Sequence, residues 1–218
     1  MKLVSIIDYG CGNIRSVFNA FNAIREKKNV KVLVTNKEEE IKRANYLVLP
    51  GVGSFESCIN GLKKSNLLDV ITQKVKGDRI PFLGICVGMQ MLASHSLENG
   101  KFDGLNWIEG EVKKIQKTNA KLKIPHMGWS DLELKKETPF IKRLKTKLKF
   151  EKVSAYFVHS YNFLTKNENN KIMTADYNQE ITAMISENNI IGTQFHPEKS
   201  HFFGLIFLET FLESEKIT

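Results

Sequence analysis

Only three cysteines, Cys11, Cys58 and Cys86, occur in the 218-residue chain, an odd number without a Cys-x-x-Cys pair. This argues against both a disulfide framework and a zinc site, and it suits a reducing compartment. A membrane span is also missing, since no apolar run nears the required length of about 20 residues. The opening Met1 to Ile7 is mostly apolar but meets Asp8 after seven residues. That is too short for a signal core, so it reads as a first strand, and the expected location is cytoplasmic. Phosphate-loop signatures are absent as well. No Gly-x-x-x-x-Gly-Lys-Ser/Thr occurs, and Gly10-Cys11-Gly12 fails as a dinucleotide fingerprint because Arg15 stands where the third glycine belongs. No repeat, linker or low-complexity tract interrupts the chain.

Negative charge is in short supply. Against 32 Lys and Arg there are 24 Asp and Glu, a net charge of +8, and such an excess attracts phosphate backbones without any sequence code. The lysines, however, are spread along the whole chain. The densest run, Lys142-Arg143-Leu144-Lys145-Thr146-Lys147-Leu148-Lys149, has no aromatic residue interleaved before Phe150 and reads as a solvated surface segment. Neither nucleic acid nor membrane is therefore expected as a partner. An anionic small molecule or an acidic patch on a protein explains the bias equally well.

What is present suits one soluble α/β domain over 1–218, because 42% hydrophobic and 26% charged residues can build and solvate a full core. Leu3–Ile7, Val30–Val34 and Tyr46–Leu49 have strand length, while Ile14, Val17, Phe18, Phe21 and Ile24 recur at helical spacing. The stretch from Lys37 to Ala44 and the longer one from Phe55 to Lys76 are expected as helices. Alternation of this kind implies an open, mostly parallel sheet flanked by helices. Beyond about residue 105, short strands over Trp107–Ile115, Tyr156–Phe163, Ile172–Tyr177 and Ile181–Ile185 suggest antiparallel additions to that sheet. A last helix carries Leu205, Leu208, Phe211 and Leu212 on one face.

The most informative segment is Ile80 to Gln90, where an apolar strand ends in Gly84-Ile85-Cys86-Val87-Gly88 and runs into a helix. This is the layout of a nucleophile elbow with a thiol in place of the hydroxyl. Gly84 and Gly88 relieve clashes in the sharp turn, and a helix N-terminus favours thiolate over thiol. A buried structural cysteine in a strand-to-helix turn fits the segment alone equally well. Downstream, the strand-like Ile190–Phe195 stops at His196-Pro197-Glu198. Proline pushes His196 into an extended conformation, so His196 and Glu198 project to one side. A thiolate nucleophile needs a base, and the base needs an orienting group. Cys86, His196 and Glu198 fit those roles, whereas His95, late in the elbow helix, and His201 read as surface or packing residues. Pro50-Gly51-Val52-Gly53 follows another strand and can offer a backbone donor, with the Val87 N–H as a second, to an oxyanion formed at Cys86. A plain tight turn is the alternative for that segment.

Together, Gly84-Ile85-Cys86-Val87-Gly88-Met89-Gln90, Pro50 to Gly53 and His196-Pro197-Glu198 resemble the triad-type (class I) glutamine amidotransferases. More narrowly, Asp8-Tyr9-Gly10, Gly12-Asn13, Met89 and Pro125-His126-Met127-Gly128-Trp129 look like the glutaminase subunits of imidazole glycerol phosphate synthases. Ser130, where that family often has asparagine, is a departure that bears on a partner contact. The resemblance implies a flavodoxin-like fold and glutamine hydrolysis through a Cys86 thioester, with Val52 and Val87 forming the oxyanion hole. It places Gly51, Gly53, Gln90, Glu98, His159, Ser160 and Tyr161 around L-glutamine. Gln90, four residues after Cys86, shares its helical face, but twelve residues of ideal helix would not return Glu98 to the nucleophile. No cofactor and no metal is implied.

A partner is implied instead, because ammonia released into neutral water becomes unreactive ammonium. In the family the partner is a (βα)8-barrel cyclase, bound as a heterodimer, that makes imidazole glycerol phosphate and an aminoimidazole carboxamide ribonucleotide for histidine biosynthesis. Asn13, His126, Met127 and Trp129 resemble the surface facing that barrel. The resemblance also implies a nearly idle isolated chain, with the Val52 N–H turned away until the partner's substrate binds. A paralogous glutaminase serving a synthase of nucleotide-linked sugars, a free-standing γ-glutamyl hydrolase and a basic nucleic-acid-binding module are the alternatives.

Overall fold

The computed structural model describes residues 1–117, 122–148 and 153–214. Lys149 and Phe150 lie outside them. The first half alternates as its hydrophobic pattern predicts, through β1 (Lys2–Ile7), α1 (Ile14–Lys28), β2 (Val30–Thr35), α2 (Glu38–Lys42), β3 (Tyr46–Gly51), α3 (Phe55–Lys64), α4 (Leu68–Thr72), β4 (Phe82–Cys86) and α5 (Val87–Gln90). α1 buries Val17, Ala20, Phe21 and Ile24 as one stripe and stops at Asn29, which takes a left-handed φ of 49°, a conformation asparagine tolerates at a helix end. The helix expected over Phe55–Lys76 is interrupted. Asn66 adopts φ 57° after α3, and the chain resumes as α4 and a π-type turn over Gln73–Gly77.

The second half runs through β5 (His95–Ser96), β6 (Phe102–Asp103), β7 (Gly110–Lys114), β8 (His126–Asp131), β9 (Glu133–Leu134), α6 (Pro139–Leu148), β10 (Ser154–His159), β11 (Tyr161–Thr165), β12 (Lys171–Asp176), β13 (Glu180–Glu187), β14 (Ile190–Thr193) and α7 (His201–Glu213). The main sheet has the order β2-β1-β3-β4-β14-β13-β12-β9. Pairings from β2 to β14 are parallel and the remainder antiparallel. Its parallel part has the flavodoxin-like order, which reverses direction at β1 and opens a crevice beyond the carboxyl ends of the strands. The expected fold class is therefore the observed one.

Not every late strand joins that sheet. β11-β7-β5-β6 form a second sheet and β10-β8 a third. The single strand expected over Tyr156–Phe163 is thus two, divided at Ser160, whose carbonyl accepts the Ile115 N–H at 2.9 Å. α7 also differs from its one-faced pattern, since all residues from Phe203 to Leu212 except Leu205 are buried. It lies between two helices: Phe211 meets Phe21 of α1 edge-on at 6.5 Å, and Phe207 meets Phe140 of α6 at 5.1 Å. The lysine-rich run lies on α6 as far as Leu148, with Leu144 buried and Lys145 paired to Glu137. An exposed ion pair contributes at most about 1 kcal/mol, whereas burying one large apolar side chain contributes about 1.5–3 kcal/mol, so the apolar stripe docks this helix. Among the described residues no helix is long and apolar enough to cross a membrane.

In the third sheet His126 of β8 lies directly opposite His159 of β10. Tyr177 stacks on the His126 ring at 4.0 Å and Phe157 at 4.7 Å. Burial pushes His126 down to about 4. Burial, aided by the neighbouring imidazoles, pushes His159 to about 3 despite its bond to the Tyr161 carbonyl. An unfolded histidine titrates near about 6.5, so below that pH the unfolded chain takes up protons that the folded chain refuses. Their contribution to stability is complete above about pH 6.5 and is lost as the pH falls toward the folded values. The urea midpoint should therefore drop between about pH 6.5 and 4.5, and His126→Asn should flatten that dependence. A midpoint constant across this window in the unsubstituted protein would contradict the account.

Candidate active site

β4 is buried along its whole length and ends on Cys86, whose φ of 55° and ψ of −112° are unusual for an L residue. Such a conformation costs on the order of 1–3 kcal/mol and persists only where its surroundings impose it. A Cβ on Gly84 would lie 2.7 Å from the Gly88 carbonyl oxygen, as a sharp elbow demands. Gly88 has a different reason from the one its spacing suggests. Its Cβ would overlap the Leu49 carbonyl of β3, so the glycine allows α5 to press against the neighbouring strand.

The elbow helix is a single turn, Val87–Gln90. So short a helix offers the sulfur the N–H groups of one turn and not a long macrodipole. Beyond it the ladder tightens, the Leu92 and Ala93 N–H groups donating to Met89 and Gln90 at 3.0 Å, and the Ser94 N–H turns away to the Gly110 carbonyl at 2.9 Å. The carbonyls of Met91, Leu92 and Ala93 accept the N–H groups of Leu105, Trp107 and Asn106 at 2.8, 3.0 and 3.0 Å. The chain consequently folds back, and His95, expected late in the helix, stands in β5. The same reversal returns Glu98 to the site, where its carboxylate accepts the Phe55 N–H at 2.6 Å. Helical geometry could not have placed it there.

β14 pairs in parallel with β4, Thr193 opposite Ile85, so the residues after β14 continue alongside Cys86. His196 is extended, with φ −98° and ψ 99°, as the following proline requires. Its N–H donates to the Tyr156 carbonyl at 2.9 Å, and its own carbonyl accepts the Ser200 hydroxyl at 2.7 Å. Its Nδ1 donates to Glu198 Oε1 at 2.8 Å, both side chains being at most 2% exposed. That bond fixes the tautomer and leaves Nε2, which has no hydrogen-bond partner, as the basic atom. Burial opposes charge on this ring, but Cys86 and Glu198 outweigh it and raise His196 to about 10. An imidazolium beside the sulfur is the favoured resting form.

These groups border a cleft of about 290 Å³ lined by Val52, Gly53, Cys86, Val87, Gln90, Glu98, Pro125, Val158, His159, Ser160, Tyr161 and His196. Every residue expected at the nucleophile, oxyanion or glutamine positions is there except Gly51 and Glu198. Gly51 lies one layer back, opposite Cys86 in the sheet, and Glu198 sits behind His196. Of the residues expected on a partner surface, Met127 and Trp129 are 61% and 47% exposed, but His126 is buried. β8 alternates its side chains, so His126 and Ser130 share the inward side, with Ser130 Oγ 2.8 Å from His126 Nε2. Asn13 precedes α1 and is partly buried.

Sequence reasoning missed Pro125 and Val158 in the lining, and it missed Gln194. The Gln194 side chain is fully buried and donates to Cys86 Sγ at 3.6 Å. A signal was available: Gln194 precedes His196 by two residues in extended chain, the same spacing that aligned Glu198.

The family model for class I glutamine amidotransferases matches residues 5–205. Among curated proteins, the "Imidazole glycerol phosphate synthase subunit HisH" of Bradyrhizobium diazoefficiens is 44% identical, covering 96% of this chain and 97% of that protein. Its namesake in Rhodopseudomonas palustris is 42% identical, covering 96% and 98%. A crystal structure of a glutamine amidotransferase superposes with a TM-score of 0.70 over 95% of this chain and 98% of its own, at 18% identity, a likeness of fold alone. With elbow, buried histidine and matched length in agreement, the chain belongs to the class I glutamine amidotransferase family.

Proposed function

We propose that the chain is the glutaminase subunit of an imidazole glycerol phosphate synthase. It hydrolyses L-glutamine to L-glutamate and ammonia and passes the ammonia to a (βα)8-barrel cyclase held as a heterodimer partner. The observation that carries this reading is the meeting of a strained Cys86 with a His196 whose Nδ1 is committed to Glu198. Cys86 Sγ attacks the γ-carboxamide carbon, and the carbonyl electrons move onto an oxygen held by the Val87 and Val52 N–H groups. His196 gives its proton to the departing ammonia, leaving a thioester. It then takes a proton from water as that water attacks the thioester, so glutamate leaves and the thiolate beside the imidazolium is restored. Glu198 keeps the ring in the working tautomer throughout. Gln90, Glu98 and the Gly51, Gly53 and His159-Ser160-Tyr161 backbone frame the substrate, Glu98 supplying the negative charge that a glutamine α-ammonium requires.

Exposed apolar side chains support a docking face near this site. Trp129 stacks on His201 at 4.9 Å with an interplanar angle of 4°, while Met127, Val52 and Phe202 are 61%, 40% and 67% exposed. Large apolar side chains left exposed in this way are the raw material of interaction surfaces. They support a partner that docks beside the cleft whose lining includes Val52. On this reading the Val52 N–H is held away from the oxyanion position until the partner's substrate binds, and a missing oxyanion donor costs about 10²–10³ in rate.

Cys86→Ala should abolish glutamate production while leaving the thermal midpoint nearly unchanged; surviving glutaminase activity would remove the proposal. With the cyclase and its ribonucleotide substrate present, glutamate production should rise about 10²–10³-fold over the isolated chain, and amide-labelled glutamine should place its label in the imidazole ring. No label beside a demonstrably active cyclase would assign the chain to another synthase. Trp129→Ala should weaken association with the cyclase about 10–100-fold, measured by titration calorimetry.

A further inference from the structure

The Cys86 sulfur has a polar neighbour beyond His196, and the direction of its hydrogen bond can be deduced. A carbonyl oxygen only accepts. Tyr161 O therefore requires the nitrogen of the Gln90 amide, which lies 3.2 Å away. The same nitrogen is 2.9 Å from the Gln194 amide, so the Gln194 atom facing it must be the oxygen. What remains of Gln194 is its NH2 group, and that group points at Cys86 Sγ from 3.6 Å. The orientation of both amides, ordinarily ambiguous, is thus set by one backbone carbonyl.

A second branch shows that this carbonyl is held firmly. His159 Nδ1 donates to Tyr161 O at 2.8 Å, which makes His159 Nε2 an acceptor for His126 Nδ1 at 3.0 Å. His126 Nε2 then accepts the Ser130 hydroxyl at 2.8 Å. No member of either branch can reverse without setting two acceptors or two donors face to face. Reversal is costly in a buried network.

We propose that Gln194 is a further catalytic residue, whose fixed side-chain N–H stabilises the Cys86 thiolate before glutamine arrives. The inference rests on Cys86 being the nucleophile. A charged acceptor gains more from an N–H donor than a neutral thiol does, and full burial of Gln194 denies water the same place. The register makes the contact a property of the fold: β14 and β4 pair as far as Thr193 and Ile85, so Gln194 and Cys86 are the next residues along the two strands. Space filling alone would be served equally well by methionine.

The test is the pH profile of Cys86 alkylation by iodoacetamide in the full-length chain, read by peptide mass so that Cys11 and Cys58 are counted separately. Gln194→Met should move the alkylation midpoint upward by about 0.5–1 pH unit and lower kcat for glutamine about tenfold with little change in KM. Gln194→Glu keeps the acceptor toward Gln90 but turns a carboxylate to the sulfur, and should move the midpoint further in the same direction. Should either variant fail to fold, Gln90→Met, which frees the Gln194 amide to rotate, should give a smaller upward movement. An unchanged midpoint in folded variants would overturn the role of Gln194 while Cys86→Ala still abolished glutaminase. Activity retained in Cys86→Ala would instead overturn the reading on which this inference rests.

Discussion

The close approach of the first turn of α5 to β3 governs the site. Because Gly88 leaves room for the Leu49 carbonyl, the turn after β4 can be tight enough to force Cys86 to positive φ. The sulfur is thereby lifted out of the strand direction and toward the crevice, where β14 delivers His196 and Gln194. A strained residue of this kind is stable only inside a framework that over-determines it. Here β4 is paired on both sides, to β3 and to β14, and all five of its residues are buried. Strain at one residue is small beside the burial that surrounds it.

The electrostatics follow from the same burial. His196 is shielded from water, which alone would keep it neutral, yet its two facing groups reverse the preference. His126 and His159 have no carboxylate bonded to them and are pushed the opposite way. Histidines packed within one small region therefore settle into opposite protonation states according to what their nitrogens face. Of these three rings, the one beside the sulfur is the one whose surroundings favour the charged form.

Much of this was legible in the residues. Local pattern located the parallel strands because their apolar runs are short and bounded by turns, and the elbow and His-Pro-Glu segments declared themselves because glycine and proline restrict the backbone wherever they stand. What remained hidden depended on distant partners. Met91, Leu92 and Ala93 are good helix formers, yet after Met91 the ladder tightens and the Ser94 N–H goes to Gly110, while the 105–107 loop takes the carbonyls of Met91 to Ala93. Ser160 divides a continuous apolar run because β8 and β7 compete for its two halves. His126 has neighbours on both sides that are exposed or half-exposed, so no property of the heptapeptide around it reveals that its ring turns inward. Gln194 is a polar residue inside the strand-like Ile190–Phe195 run, where composition gives it no role and geometry makes it a neighbour of the sulfur.

Glu98 does two things at once. Its carboxylate is bonded to the first amide of α3, and α3 begins two residues after Gly53. A carboxylate of the cleft lining is thus already anchored just after the segment that bears the Gly51 to Gly53 turn. The Glu98 carboxylate is thereby held in place in the cleft wall, so the entropy of fixing it is spent during folding and not again at each encounter with a ligand.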